Sequence, residues 1–147
     1  MFRGEFQHTI DPKGRLSIPA KFREVLADGF GDRLVIVPIN GTLEVHPLKL
    51  WKEDIEDKVN ALPRFDPDAR AIKYAYISKA QDVSLDPQGR IQISADYRER
   101  AALVKSVLVI GMGTWFEVWS AERRASSERE SPVDIDTLYA RLAAKGI

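Results

Sequence analysis

The sequence predicts a mainly β fold of the α+β class, in which the two halves of the chain form one domain with pseudo-twofold symmetry. The segment at 10–24 recurs at 85–99, with Asp, Pro, Gly, Arg, Ala, Arg and Glu in identical places. Apolar and polar side chains alternate within each copy, which is typical of half-buried strands. A half of about 75 residues with short strands is only marginally stable alone, so we expect the two halves to bury each other's apolar faces.

Each repeat is predicted to begin with a strand that leads into a tight turn. In the first repeat the strand covers 6–10 and the turn is Asp11-Pro12-Lys13-Gly14. This order fits a type I turn, because aspartate accepts a backbone N–H, proline fixes φ at the second position and glycine suits the last. Asp86-Pro87-Gln88-Gly89 occupies the same place in the second repeat.

The remainder of each repeat is predicted to be a strand, a short helix and a hairpin. In the first repeat Leu16 resumes the apolar alternation, and Pro19 suits the first turn of a helix that ends near Ala27. Asn40-Gly41 then favours a hairpin between strands at 34–37 and 42–46. The second repeat follows the same plan.

Helices are predicted between the repeats and at the C-terminal end. Apolar residues at helical spacing indicate one linking helix at 48–62, and Asp66-Pro67 is typical of the start of a second. A polar stretch at 126–132 precedes a last amphipathic helix, which we expect to dock on its own subunit or on a neighbour. We divide the chain into a first repeat with its following helix (1–62), a linking helix (63–79), a second repeat (80–125) and a C-terminal helical tail (126–147).

Charge and composition limit the classes of function. The 22 Lys and Arg residues cancel 22 Asp and Glu residues, so any attraction for nucleic acid must come from a local cluster of cations. The chain has no cysteine, which excludes disulfides and thiolate metal sites. It also has no apolar run long enough to span a membrane and no signal-peptide pattern at its start, so we expect a cytoplasmic protein.

The repeated turn carries the candidate site. Because Leu16 faces the core, alternation places Arg15 on the opposite side, and Arg90 follows the same rule in the second repeat. Lys13 stands at the tip of the first turn. The arginine and the lysine would form a compact pair suited to phosphate or to the guanine edge. A purely structural alternative remains open, in which Asp11 and Arg15 only form an ion pair across the turn.

No group of residues predicts catalysis. The sequence lacks a nucleophile elbow, a phosphate-binding Walker loop and the histidine spacings of metal sites. We therefore expect a protein that is not an enzyme, with no cofactor, metal or small-molecule substrate and no membrane partner.

Together these motifs resemble the bacterial MraZ family, from residue 1 to about residue 120. The matching segments are 1–6, 11–15, 16–23, 43–45, 65–71 and 86–90. The resemblance implies two AbrB-like halves that exchange hairpins within a β-barrel and assemble into a homo-oligomeric ring. It also implies a non-enzymatic transcriptional regulator in the cytoplasm and nucleoid, which binds tandem promoter repeats in double-stranded DNA. Such a protein would usually repress its own promoter and the division and cell-wall gene cluster.

The resemblance assigns DNA contacts to the basic turns of this sequence. Lys13 and Arg15 match the family's DNA-contacting turn, and Arg90 matches it in the second repeat. Gln88 stands where a lysine stands in the first turn, so we expect the first turn to contribute more. Arg3 is an expected auxiliary contact. The alternative is an AbrB-like module of the antitoxin type that binds another protein and has purely structural turns.

Overall fold

The structure is a computed structural model that describes residues 1–147 as eight strands and seven α-helices. The first repeat contains β1 (Glu5–Thr9), β2 (Arg15–Ser17), α1 (Ala20–Ala27), β3 (Arg33–Ile39) and β4 (Thr42–Pro47). The link contains α2 (Leu48–Trp51), a π-helical turn (Lys52–Glu56), α3 (Asp57–Asn60), α4 (Pro67–Ala75) and a 3-10 turn (Ile77–Lys79). The second repeat contains β5 (Gln81–Ser84), β6 (Arg90–Gln92), α5 (Ala95–Arg100), β7 (Ser106–Gly111) and β8 (Phe116–Ser120). The chain ends with α6 (Ala121–Glu130) and α7 (Ile135–Ala144).

The two repeats exchange their first strands. The large sheet is antiparallel and has the order β1-β7-β8-β4-β3-β5, so β1 of the first repeat pairs with β7 of the second, and β5 pairs with β3. Strands β2 and β6, one from each repeat, form a separate antiparallel pair. The barrel expected from the resemblance is not closed, because β1 and β5 remain as sheet edges and β2 and β6 pair with each other rather than joining them.

One apolar core is shared by both repeats. Nineteen buried residues form a single cluster that includes Leu16 and Ile18 from the first repeat and Ile91 and Ile93 from the second. Phe2, Phe22 and Phe116 belong to this cluster and the half-buried Phe6 packs against it, with neighbouring ring centroids 5.1–5.2 Å apart. The prediction that the halves bury each other's apolar faces is confirmed. The division of the chain at residues 62, 79 and 125 stays a prediction.

Most local elements predicted from the sequence are present. Helix α1 ends at the predicted Ala27, and Asn40 and Gly41 turn the hairpin with φ of 50° and 78°. Asp66 caps α4 by accepting hydrogen bonds from the N–H groups of Asp68 and Ala69. The sequence does not predict helix α6, because its residues show no apolar periodicity, and the helix accordingly buries no residue. No helix of the chain is both long and apolar enough to cross a membrane.

A buried polar cluster holds the linking helices against the sheet. The Glu44 carboxylate on β4 accepts hydrogen bonds from the Tyr76 hydroxyl beyond α4 and, at 3.0 Å, from the His46 ring. Trp51 packs its ring against both His46 and Tyr76. Burial raises the pKa of Glu44, but the hydrogen bonds from His46 and Tyr76 outweigh it and leave the pKa below its ordinary value. The cluster therefore contains an ionised carboxylate.

Replacing Glu44 with glutamine is expected to lower the free energy of unfolding at neutral pH by about 1–3 kcal/mol, the cost of losing hydrogen bonds to a charged group. Because the pKa of Glu44 is lowered by folding, its stabilisation exists above the pKa of the unfolded chain and disappears as the pH falls through the folded pKa. Urea unfolding at several pH values should show a weaker acid-side loss in Glu44→Gln than in the wild type. The exposed Glu53→Gln is the matched control, and identical pH profiles for both variants would contradict this account.

Candidate nucleic-acid interface

The Asp11 side chain organises the first turn. Its Oδ1 accepts the backbone N–H groups of Lys13 and Arg15, each at 2.9 Å, and its Oδ2 accepts Arg15 Nε at 2.6 Å. The N–H of Gly14 donates to the Asp11 carbonyl at 2.9 Å and closes the turn. The Arg15 backbone N–H, helped by the guanidinium, lowers the pKa of Asp11 below its ordinary value. The tip of the turn is therefore fixed by one ionised carboxylate.

Arg15 points away from the core, as alternation predicts. Its neighbour Leu16 is fully buried, while the Arg15 side chain is 37% exposed. The ion pair with Asp11 is present, but it uses only Nε. The two terminal nitrogens of the guanidinium have no hydrogen-bond partner in the chain. The ion pair thus orients Arg15 and leaves the two terminal nitrogens of its guanidinium available to an anion.

The second turn repeats this geometry with one difference. Asp86 accepts the N–H groups of Gln88 and Arg90 at 2.9 Å, and it accepts Arg90 Nε at 2.9 Å. Arg90 Nη2 also donates to the Gln88 side-chain oxygen at 3.4 Å. The second turn therefore lacks the positive charge that Lys13 provides in the first turn. Gln88 also occupies one more donor of Arg90. Of the two turns, the first offers more positive charge and more free donors.

Pairing of β2 with β6 brings both arginines onto one surface. Arg15 lies opposite Gln92, and Ser17 lies opposite Arg90. All four alternate with Leu16 and Ile91, whose side chains are buried beneath them. We define the ribbon face as Lys13, Arg15, Ser17, Arg90 and Gln92. It contains three cations close to the two turn carboxylates of Asp11 and Asp86.

Each turn is supported by residues of the opposite repeat. The Gln92 side-chain amide donates to the Lys13 carbonyl, and Arg98 Nη1 donates to the Pro12 carbonyl at 3.3 Å. On the other side the Arg23 side chain lies against Gly89. Sequence reasoning did not assign a role to Arg23 or Arg98. The internal repeat could have identified them, because the two arginines stand at equivalent positions, 75 residues apart.

Gly14→Ala is expected to distort the first turn. Gly14 has a φ of 85°, and a Cβ at this position would collide with the Ile93 carbonyl oxygen. The strained backbone and the clash should together lower the free energy of unfolding by more than about 1 kcal/mol. Thermal unfolding measures this loss. Gly113→Ala is the control, since Gly113 also has a positive φ, of 87°, but a Cβ there would contact no other atom. Equal losses of stability in the two variants would contradict the close contact between the first turn and the opposite repeat.

Arg3 lies apart from the ribbon face. It is exposed and precedes β1, whereas the first turn follows the opposite end of that strand. The structure therefore brings together Lys13, Arg15 and Arg90 but leaves Arg3 at the far end of β1. Its role as an auxiliary contact stays a prediction.

Comparison with known proteins gives the family. The family model described as "MraZ protein, putative antitoxin-like" matches residues 1–75 and again residues 76–136, one match for each repeat. The chain belongs to the MraZ family. The transcriptional regulator MraZ of Heliobacterium modesticaldum is 44% identical over 133 residues, which cover 90% of each chain. The regulators of the same name from Alkaliphilus metalliredigens and Clostridium acetobutylicum are 40% and 38% identical, each over the full length of both chains.

The names of these MraZ relatives indicate a role in transcription. All three are called transcriptional regulators, a class of proteins that control gene expression. The resemblance inferred from the two Asp-Pro-x-Gly-Arg turns is thus confirmed at the level of the family. The roles of individual residues on the ribbon face rest on geometry and stay predictions.

Proposed function

We propose that this protein is a sequence-specific DNA-binding transcriptional regulator that represses its own promoter and the division and cell-wall gene cluster. The ribbon face is the observation that carries the proposal. It combines the free outer nitrogens of Arg15 and the partly exposed Arg90 on one pair of strands with the charge of Lys13 in the adjoining turn. In the cell the protein would be cytoplasmic and associated with the nucleoid.

The ribbon face has a shape and chemistry that suit the DNA major groove. This groove admits a two-stranded antiparallel ribbon, and several known DNA-binding proteins read bases with such strands. An arginine can donate two hydrogen bonds to a guanine edge, while a lysine at a turn tip suits a phosphate. Arg15 would therefore read a base and Lys13 would hold the adjacent backbone.

A neutral chain needs more than one such face to hold DNA. One ribbon face offers only a few contacts, so a single subunit would bind weakly. If several subunits of a ring engage successive promoter repeats, each later contact becomes intramolecular, with avidity gains on the order of 10²–10⁴. The homo-oligomeric ring, the tandem repeats and the AbrB-like exchange of hairpins within each subunit are parts of this proposal, as is the division into two repeats, a linking helix and a tail.

The proposal is tested by binding of the full chain to DNA from upstream of its own gene, compared with scrambled DNA of equal length at two salt concentrations. Preference for the upstream DNA, with affinity that falls as salt rises, is the expected result. Equal binding to both DNAs, or none to either, would overturn the proposal. Native mass spectrometry of the same sample measures the number of subunits in the assembly.

Gln88→Lys is expected to strengthen DNA binding, because it gives the second turn the charge that the first turn already has. One additional phosphate contact should steepen the salt dependence by about 0.9 in the slope of log affinity against log salt concentration. Fluorescence anisotropy across a salt series measures this slope. Gln81→Lys adds the same charge on the exposed β5, so an equal effect of the two variants would show that only net charge matters.

A second candidate function is an AbrB-like module of the antitoxin type, whose turns are structural and whose partner is a protein. The family description as antitoxin-like favours it, as does the Asp11–Arg15 ion pair. Under this function the upstream DNA would show no preference over scrambled DNA. A partner protein would be retained at salt concentrations that release nucleic acid.

A further inference from the structure

Helix α7 is an amphipathic element with no partner in its own chain. None of its residues is buried, although it carries an apolar stripe at helical spacing. Ile135 and Tyr139 are 55% and 64% exposed, and the half-buried Leu138 and Leu142 complete the stripe. An apolar stripe that its own chain leaves uncovered is typical of a contact with another molecule. The sequence left open whether the tail docks on its own subunit, and the structure shows no such docking.

Charges beside the stripe indicate what that molecule is. Asp134, Arg141 and Lys145 are separated by seven and four residues, so they lie along the same flank of the helix. The acidic residue is at the N-terminal end of this flank and the basic residues are at its C-terminal end. The flank is therefore complementary to itself when a second copy runs in the opposite direction. In a parallel pair this flank would face the other flank of the second copy, and the complementarity would be lost.

The acidic end of this flank is held in its charged form. Asp134 caps the helix by accepting a hydrogen bond from the N–H of Asp136 at 3.1 Å and another from the Thr137 hydroxyl at 2.7 Å. These bonds, that of Thr137 first, lower the pKa of Asp134. A carboxylate at this place can face a lysine of a neighbouring helix.

We infer that α7 pairs in the antiparallel direction with α7 of a second copy of this chain, through the apolar stripe and the self-complementary flank. With the twofold axis near Ala140, Leu138 faces Leu142 of the second copy, and Ile135 faces Lys145. Asp134 then lies beside Lys145 of the second copy on both sides of the axis. The other flank carries Asp136 alone, which is kept away from its symmetry mate by the same arrangement.

The size of the contact determines how it would act. A ten-residue helix is about 15 Å long. A pair of such helices therefore buries much less surface than the roughly 1,200–2,000 Å² of a stable interface. Tail pairing would therefore join chains that are already held together, or link one assembly to another, rather than create a dimer alone. The inference does not depend on DNA binding, and its test contains no DNA.

Cysteine cross-linking tests the pairing on the full chain, which has no cysteine of its own. A disulfide requires Cα atoms within about 7 Å, and positions 135 and 145 of one helix are about 15 Å apart, so a link between them must join two chains. The double variant Ile135→Cys/Lys145→Cys should form a cross-linked dimer under mild oxidation on a non-reducing gel. Each single variant should remain unlinked, because in the antiparallel pair each position is far from its own copy.

Two outcomes would overturn the inference. Cross-linking of the single variants as efficiently as the double variant would show parallel or random contact. The double variant keeps the Leu138–Leu142 contacts and Arg141, so absence of a link in it would show that the stripe covers a different surface. Thr137→Cys/Ala144→Cys, on the side of the helix opposite the stripe, is the matched control and should stay unlinked. Circular dichroism of each variant checks that the exposed substitutions leave the fold unchanged.

Discussion

Arg15→Ala is expected to abolish detectable binding to promoter DNA while leaving the size of the assembly unchanged. The substitution removes the guanidinium group whose terminal nitrogens have no partner within the chain. Loss of one bidentate contact to a base costs about 1–3 kcal/mol, and an assembly that engages several subunits loses that contact in each. Because Arg15 is on the surface of β2, its removal leaves the core intact.

Gel-shift titration and size-exclusion chromatography measure the two halves of this expectation. Arg129→Ala is the matched control, since it removes the same charge from an exposed position on α6. Arg90→Ala should weaken binding less than Arg15→Ala, because Gln88 already occupies part of its guanidinium. Unchanged affinity of Arg15→Ala, or equal losses in all three variants, would contradict the role assigned to the first turn.

Phe22→Ala is expected to destabilise the whole chain by about 3–5 kcal/mol, the usual cost of removing a phenylalanine from a packed core. Phe22 is on α1 and is 1% exposed. Its ring contacts Phe2 and Phe6 of its own repeat and Phe116 of the other repeat, with centroids 5.2 Å apart in each pair. Since both repeats share this core and exchange strands, they should unfold together in one transition.

Denaturant unfolding followed separately by circular dichroism and by tryptophan fluorescence measures this effect. The two signals should give the same midpoint in the wild type and in Phe22→Ala, with a lower midpoint in the variant. Phe65→Ala is the control, because Phe65 is 81% exposed and its removal should have little effect. Two separate transitions, with only one of them shifted by Phe22→Ala, would show that the repeats fold independently.

Local chemistry made much of the fold predictable. Asp, Pro and Gly at fixed places determine the two turns, and Asn40-Gly41 determines the hairpin, because each acts through its own backbone or a near neighbour. Alternation of apolar residues was enough to place Leu16 inside and Arg15 outside. The candidate site was predictable for the same reason, since Lys13, Arg15 and Arg90 belong to the turns themselves.

Features that depend on contacts between distant segments were not predictable from local patterns. The pairing of β1 with β7 and of β5 with β3 depends on how the repeats meet. The support given by Arg98 to the first turn crosses 86 residues of sequence, and the Glu44–Tyr76 hydrogen bond crosses 32. Helix α6 lacks an apolar face, so its sequence resembles that of a polar connection. It is held by the Ser120 cap and by hydrogen bonds from Arg123 to the distant carbonyls of Gly41 and Arg100.

Hydrogen–deuterium exchange of the full assembly, with and without a duplex carrying the upstream promoter repeats, tests the central claim most directly. The account predicts slower exchange on DNA binding in peptides that cover 11–17 and, to a smaller extent, 86–92. It predicts unchanged exchange in the tail from 133 to 147. Slower exchange confined to segments outside both turns, with no change at 11–17, would contradict it.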